Sequence, residues 1–415
     1  MTLRVAMVVD RFPHEPFLAR QVDGLLRRGL DLHILCQIHD RDSPAWSVLN
    51  RSALSGRIHP WPERTQTARL AGSMTSALAR AATRRPRELA RAIRREFAPG
   101  LVDRRQAHGR PLGRLVFDAR VLAVRADIVH FQFGDLARRR LHVAQAVDCG
   151  FSTSFRGYDL AYAGIDEPGY YDALWPSLDG AHTLGQDLMA LAIARGCPPG
   201  VEWTVIPPAV DPDVFKPNDH NRRQRPELEI VSVGRLHWKK GYTDALWAVA
   251  GLRAAGVEFR YRIIGSGGDD EELRWHIKDL GLDTVVELVG PTNPDRIPIE
   301  LARADVFLHP ALTEGFGNAV LEAQSAGLAV VCTDAEGLAE NVVDGVTGFV
   351  VPRRRPAELQ ERLMILAGDD ALRLKMGRAG RQRVLDHFSP EQQLDRYLRF
   401  FDQVARRDRR RIGRS

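Results

Sequence analysis

The chain is 415 residues long, more than one core of ordinary size holds, which points to two domains. With 44% hydrophobic and 27% charged residues it has a globular make-up, neither disordered nor fibrous, and no apolar run reaches the roughly 20 residues needed to span a bilayer. The net charge of +6 is concentrated locally: between Arg64 and Arg125 roughly fifteen arginines stand against about four acids, and residues 406–411 form a second basic cluster.

In chain order, residues 3–9 read as a buried strand, too short and too soon followed by Asp10 to be a secretion signal. An amphipathic helix over 19–28 and a strand over 30–36 follow, and this β-α-β rhythm implies a parallel sheet covered by helices. Residues 62–112 break the rhythm. There, 68–82 and 86–97 have helical spacing, but Arg, Ala and Pro dominate, so these helices are expected to stand proud of the core. Strands resume at 128–131, 152–155, 181–184 and 203–206. The Pro-rich stretch 207–217 with the polar 218–226 is the best linker candidate.

A second series then begins, with strands at 228–233, 259–264, 285–288, 306–309 and 329–332. Helical patterns occupy 242–255, 270–280, 297–304, 314–326 and 356–368. A last helical pattern, 390–406, carries Leu394, Tyr397, Leu398, Phe401 and Val404 at helical spacing; it either packs back onto the first domain or caps its own. The expected organisation is therefore an N-terminal domain 1–215 with an arginine-rich helical insertion 62–112, a C-terminal domain 216–388, and a C-terminal helix with a basic tail, 389–415. Both domains are α/β and doubly wound.

Four scattered cysteines, Cys36, Cys149, Cys197 and Cys332, form no Cys-x-x-Cys pair and are expected to be reduced core residues of a cytoplasmic protein. The arginine-rich stretch is either a solvated helix face or a surface for phosphate groups, those of an anionic membrane at the inner face of the plasma membrane or of a lipid-linked acceptor. Nucleic acid is set aside as a partner.

The chemistry concentrates in the second series. In a parallel α/β sheet, ligands bind beyond the carboxyl ends of the strands. Gly234-Arg235, Gly265-Ser266-Gly267 and the loop opened by Glu314 all fall at such ends. Arg235 and Lys240 offer donors suited to phosphate oxygens, though either is equally at home in a surface salt bridge. Gly315 and Gly317 let backbone approach a ligand and expose N–H groups where a helix starts, with Asn318 as a plausible cap and Glu322 one turn further on. Cations for a diphosphate and fixed carboxylates for sugar hydroxyls together suggest a nucleotide-sugar site. The acids at the helix start can also be simple dipole compensation, and Gly265-Ser266-Gly267 alone is weak.

Gly234-Arg-Leu with Lys240-Gly, Ile264-Gly-Ser-Gly, Val289-Gly-Pro and Glu314-Gly-Phe-Gly-Asn-Ala-Val-Leu-Glu322 resemble the retaining glycosyltransferases of family 4, polysaccharide-assembly type. The segment from Cys332 to Pro352 is similar to the family's next stretch. The resemblance implies a GT-B fold, two Rossmann-like domains facing across a cleft that holds the reaction, and a UDP- or GDP-linked sugar donor held mainly by the C-terminal domain.

It places Arg235 and Lys240 on the diphosphate, Glu314 on the sugar and Glu322 on the ribose. Backbone at Gly265, Gly267, Gly315, Phe316, Gly317 and Asn318 would line the donor, with Pro291 and Thr292 near the base. Glu314, Arg235 and Lys240 are the catalytic candidates. No metal or other cofactor is implied.

In the first domain, Phe12-Pro-His-Glu-Pro-Phe17 is similar to a polysaccharide-assembly variant through Glu15 and Phe17. Ile128–Gly134 resembles a His-x-His-Phe-Gly stretch with Gln132 in place of its second histidine. Arg156 stands where relatives have the histidine of His-Gly-x-Asp, with Asp159 matching; an arginine cannot be a base there, so phosphate or acceptor binding is the expectation. Glu15, His130, Arg156 and Asp159 are the acceptor-side candidates, and His130 reads equally as a satisfied core histidine. The implied acceptor is a glycan, lipid-linked or small molecule. Two rivals stay open: a sugar-nucleotide epimerase or hydrolase of the same fold, and a catalytically idle, membrane-associated partner subunit.

Overall fold

A computed structural model describes residues 2–61, 67–97, 111–217 and 227–412. The polar stretch 218–226 and residues 62–66 and 98–110 of the expected insertion therefore lie outside the described residues. The chain divides into two compact units: residues 1–183, 189–206 and 394–415 form the first, and 184–188 with 207–393 the second.

In the first unit seven strands form one parallel sheet: β1 (Arg4–Phe12), β2 (Asp31–His39), β3 (Ile58–Pro60), β4 (Ile128–Phe131), β5 (Gly150–Phe155), β6 (Gly180–Thr183) and β7 (Trp203–Val205), in the order β3-β2-β1-β4-β5-β6-β7. The central strands are short runs buried along their length, as expected of a sheet covered on both faces. The order reverses direction at the β1/β4 pair, where Val5–Val8 lie in register with Ile128–Phe131.

The second unit repeats the plan with β8 (Leu228–Val233), β9 (Phe259–Ile264), β10 (Val286–Gly290), β11 (Val306–His309), β12 (Ala329–Thr333) and β13 (Gly348–Val351), ordered β10-β9-β8-β11-β12-β13 and all parallel. Its reversal lies between β8 and β11. The fold class is thus two doubly wound parallel-sheet α/β domains. Strand β13 and the long helix Asp370–His387 were not anticipated. Gly348-Phe-Val-Val offers only four residues, and the helix alternates arginine with small residues instead of presenting a clear apolar stripe.

Three expectations are corrected. The stretch 207–217 is not a loose linker. Arg381 donates to the carbonyls of Phe215 (3.0 Å) and Pro212 (3.3 Å), Ser325 Oγ donates to Phe215 O (2.9 Å), and Val210 N donates to Phe388 O (3.0 Å), so the segment belongs to the second unit. The boundary falls between Ile206 and Pro207.

Second, the helices of the arginine-rich stretch do not stand proud. Ala77, Ala81, Leu89 and Ala92 are buried, and both helices, Thr67–Arg84 and Pro86–Phe97, pack on an unanticipated helix, Pro111–Val124.

Third, several of that stretch's arginines are satisfied internally. Arg95 and Arg114 are buried around Glu96 and Asp118, with Arg95 Nη2 donating to Asp118 at 2.7 Å and Arg114 Nη2 to Glu96 at 2.6 Å. Arg91 pairs with Asp148 (2.6 Å) and Arg85 with Glu88 (2.7 Å). Charge count along the chain therefore overstates the free basic surface. Among the described residues no helix is long and apolar enough to cross a membrane.

The helix Pro390–Ile412 leaves the second unit at its first turn and completes the first. Tyr397, Phe400, Phe401 and Val404 are buried in the same cluster as Val5, Met7, Val22 and Ile128. Small residues make room for it: a Cβ at Gly150 or Gly180 would come within 2.7 or 2.8 Å of Val404 methyls, and one at Gly24 within 2.7 Å of Leu394.

Candidate functional site

The carboxyl ends of β8 and β11, at the reversal point of the second sheet, hold a tight polar constellation. Past β8, the loop 234–236 and the loop 265–267 are zipped together: Gly234 N donates to Ile264 O and Leu236 N to Ser266 O, both at 3.0 Å. Only glycine fits that approach. A Cβ on Gly265 would stand 1.9 Å from Gly234 O, and one on Gly267 would stand 2.0 Å from Leu236 O. Gly265 N donates in turn to Gly290 O at 3.0 Å, which brings the Pro291-Thr292 loop alongside.

The short turn Trp238–Lys240 then meets the loop after β11, because Leu312 N donates to Lys239 O at 2.7 Å. That clasp delivers Lys240 Nζ onto Glu314 Oε2. His309, the last residue of β11, donates from Nε2 to the same oxygen at 3.1 Å. Glu314 Oε1 accepts from Gly315 N at 3.0 Å.

Burial by itself would raise the Glu314 carboxyl, but the Lys240 ammonium and the His309 hydrogen bond override it and hold the group well below the usual carboxylate range. Burial lowers His309, so the ring is neutral and its proton sits on the nitrogen facing Glu314. Nearby, Glu336 accepts from Glu314 N (3.4 Å) and from Arg353 (2.8 Å), and Arg353 also donates to Leu312 O (3.1 Å).

The helix Asn318–Ser325 opens from the same loop. Its cap is Gly317, at φ +86°, with no side-chain hydrogen bond, while Asn318 is an exposed first helical residue; the expectation of an asparagine cap is corrected. The first amides of the helix therefore have no intrahelical acceptor, the arrangement that favours an anion. The Phe316 ring turns inward against Phe388, with centroids 5.7 Å apart, and buried Asn341 donates to the carbonyls of Phe316 (3.0 Å) and Gly317 (3.1 Å). These anchors set the path of the loop backbone. Glu322 lies half-buried in this helix.

The structure thus unites Lys240 and Glu314 directly and leaves Arg235 exposed, with no hydrogen-bond or ion-pair partner among the described residues. It also adds three groups that sequence reasoning missed: His309, Glu336 and Arg353. A polar residue ending the apolar run Val306-Phe-Leu, five positions before Glu314, was the available signal for His309.

In the first unit the four acceptor-side candidates diverge. Glu15 is exposed at the start of the helix Pro16–Arg27. Arg156 is half-buried beyond β5. Asp159 is fully buried and ties down backbone, accepting from Arg156 N (3.0 Å) and Asp135 N (3.3 Å). His130 is a core residue: its ring nitrogens face Ser152 and Ser154 hydroxyls at 3.0 Å each, and it lies edge-on to Phe401. That corrects any role for it in meeting an acceptor.

Burial, reinforced by Arg156, pulls His130 down to about 3 and His182 well below its ordinary value, and burial with its neighbours lowers His59 to about 4. Each histidine stays neutral in the fold, while the unfolded chain takes a proton near pH 6.5. Stability therefore falls as pH drops below about 6.5, by about 1.4 kcal/mol per pH unit for each group until its folded value is reached. Burial raises Asp159 to about 6, which works in the opposite direction between about pH 6 and 4, and the facing pair Asp118 and His142 shift in opposing senses. The histidines win. Denaturant unfolding should show a first unit less stable at pH 5 than at pH 7 by on the order of 4 kcal/mol; equal or greater stability at pH 5 would contradict this.

Residues 215–383 match the family described as Glycosyl transferases group 1. The chain carries a glycosyl transferases group 1 domain. The switch-point constellation lies within it. Over almost its whole length the chain is similar to the amylovoran biosynthesis glycosyltransferase AmsK of Erwinia amylovora, 28% identical over 93% of this chain and 96% of AmsK. A protein provisionally named colanic acid biosynthesis glycosyltransferase WcaL, from Salmonella typhimurium, is 36% identical over 49% of this chain, and that match spans about half of WcaL's length (52%).

Among solved structures, Anabaena HepE in complex with UDP and glucose superposes with a TM-score of 0.68 at 14% identity, covering 96% of this chain and 98% of HepE. At that identity the likeness speaks for the fold, the GT-B class. Taken with the group 1 domain and the full-length relative, the activity is glycosyl transfer.

Proposed function

We propose that the protein moves a hexose-type sugar, with retention of configuration, from a UDP- or GDP-linked donor to a glycan, lipid-linked or small-molecule acceptor in surface-polysaccharide assembly. The observation that carries this is the meeting of Lys240, His309 and Glu314 at the point where the second sheet reverses. An ammonium has three donors and Glu314 occupies one, so Lys240 retains donors for a phosphate. Arg235 and the uncapped amides of the helix Asn318–Ser325 add positive potential at the same edge, enough to neutralise a leaving diphosphate without a metal. Glu314, held ionised, accepts from sugar hydroxyls. Glu322 on the ribose and the Pro291-Thr292 loop near the base complete the donor contacts.

In the step itself the bond from the sugar's anomeric carbon to the diphosphate oxygen breaks. The acceptor oxygen bonds on the same face, and its proton passes to the departing diphosphate. The protein supplies position and electrostatic stabilisation. HepE's complex with UDP and glucose supports the donor class, AmsK's name supports the pathway, and four free, buried cysteines suit a reducing cytoplasm.

A panel of nucleotide sugars tested by thermal shift should yield one that raises the unfolding midpoint, as binding at 100 times Kd adds about 2.7 kcal/mol. With that donor, NMR of the product should show the donor's anomeric configuration retained, and only in the presence of acceptor. An inverted product would end the retention claim. Turnover without acceptor would favour a hydrolase or epimerase, and no shift with any donor would point to an idle subunit.

A further inference from the structure

The side chains around Arg156 hold more hydrogen-bond donors than the protein satisfies. Arg156 Nη2 donates to Gln132 Oε1 at 2.6 Å, to Tyr397 Oη at 3.3 Å and to Gln21 Oε1 at 3.4 Å, and the guanidinium lies 4.8 Å over the Phe17 ring. Both glutamines thus turn their oxygens to the arginine. Gln132 Nε2 and Arg156 Nε are buried without any acceptor, and the Gln21 amide, which also meets the Tyr397 hydroxyl, has a second N–H to spare. Flipping either amide would set NH2 against guanidinium, donor against donor, so the orientation is fixed by chemistry.

Gln21 is 4% and Gln132 1% exposed, so neither amide reaches bulk water through its own surface. Among the described residues no carboxylate pairs with the Arg156 guanidinium; Asp159, three positions on, is engaged with backbone amides. A half-buried cation with no carboxylate hydrogen-bonded to it and two orphaned nitrogen donors are costly to fold.

Their place in the fold argues that the cost has a use. Gln21 sits on the helix after β1 and Gln132 directly follows β4, the neighbouring strands at which the first sheet reverses. That is where open α/β sheets take ligands, and it corresponds to the position of Lys240 and Glu314 in the second unit. Every orphan is a donor and the local charge is positive, so the missing group is an acceptor of hydrogen bonds that carries negative charge.

We propose that Arg156, Gln21 and Gln132 form an oxyanion site that seats the charged group, phosphate or carboxylate, of the sugar acceptor. This rests on the glycosyl-transfer reading above. The acceptor class it implies is a sugar phosphate, a lipid phosphate or a glycan ending in an acidic sugar, rather than a neutral sugar.

Calorimetric titration of the full-length protein with glucose 1-phosphate, glucuronate and glucose tests this. The two charged probes are expected to bind and glucose not; the tighter of the two shows whether phosphate or carboxylate is the natural group. Arg156→Gln should weaken the charged probes at least tenfold, and Gln132→Leu or Gln21→Leu several-fold. Wild-type affinity in Arg156→Gln would mean the donors hold only water and would overturn the proposal. So would loss in Lys240→Ala alone, which would place the anion in the second unit. If Arg156→Gln fails to fold, the two glutamine variants decide, and unchanged affinity in both overturns the site. Failure of the donor reading is seen separately, in nucleotide-sugar thermal shifts with the wild-type protein.

Discussion

Glu314→Ala and Lys240→Ala are each expected to lower the transfer rate at least tenfold, a loss of about 1.4 kcal/mol or more of transition-state stabilisation. The two losses differ in origin, and stability measurements separate them. Lys240→Ala strands a mostly buried carboxylate whose ionisation burial opposes and the ammonium sustains. Removing one partner of such a pair costs about 3 kcal/mol of folding free energy, whereas removing both costs less than the sum of the single losses. Glu314→Ala leaves a lysine that can reach solvent and should cost less.

The pair's contribution has a defined pH range. The folded-state value of Glu314 is depressed, so its stabilisation is complete above the unfolded value of about 4.3 and is lost as pH falls toward the folded one. Near neutrality the single variants therefore show their full effects. Denaturant titration with the double-mutant cycle, alongside initial transfer rates, checks both halves. Wild-type transfer rates in both single variants would refute the donor site. Strict additivity in stability would refute the buried pair.

Much of the doubly wound architecture is legible in the chain because each central strand is a short apolar run closed by glycine or a polar residue. Leu228–Val233 before Gly234 and Val306–Leu308 before His309 are examples. The same rule locates loops at strand carboxyl ends, so residue order alone marks out the neighbourhood of Arg235 and Glu314. What it leaves out is pairing. Nothing local says that Lys239 O receives Leu312 N, 73 positions on, or that His309 turns its ring toward Glu314.

The arginines illustrate the opposite error. A stretch with roughly fifteen of them reads as surface, yet Arg95 and Arg114 are inside, because Glu96 and Asp118 come in with them and local composition cannot show which charges will be paired. His130 fails in a third way. A histidine at a strand end looks chemical, and only the Ser152 and Ser154 hydroxyls on the adjacent strand reveal it as a saturated core residue.

Truncation after Gln393 should unfold the first unit. The helix that begins at Pro390 inserts Tyr397, Phe400, Phe401 and Val404 into the core formed by β1, β4 and the helix Pro16–Arg27, and each is essentially fully buried. Burial of such a side chain contributes about 1.5–3 kcal/mol, so the four together supply on the order of 10 kcal/mol, as much as the whole stability of an ordinary domain. The polar links compound the loss: His182 Nε2 would lose Tyr397 Oη at 2.7 Å, and Arg156 would lose one of its acceptors. Glycines at 150 and 180, shaped to receive Val404, would face water instead.

The second unit keeps residues 207–393 and its own core, including the docked segment held by Arg381 and Ser325. Calorimetry of the truncated chain should therefore show one cooperative transition where the full chain shows the first unit's as well, and hydrogen exchange should find β4–β6 unprotected while β8, β11 and β12 remain protected. Milder substitutions grade the same effect: Phe401→Ala should cost about 3–5 kcal/mol. A truncated chain that retains protected amides in β4 and β5 would show that this helix only covers a core that stands without it.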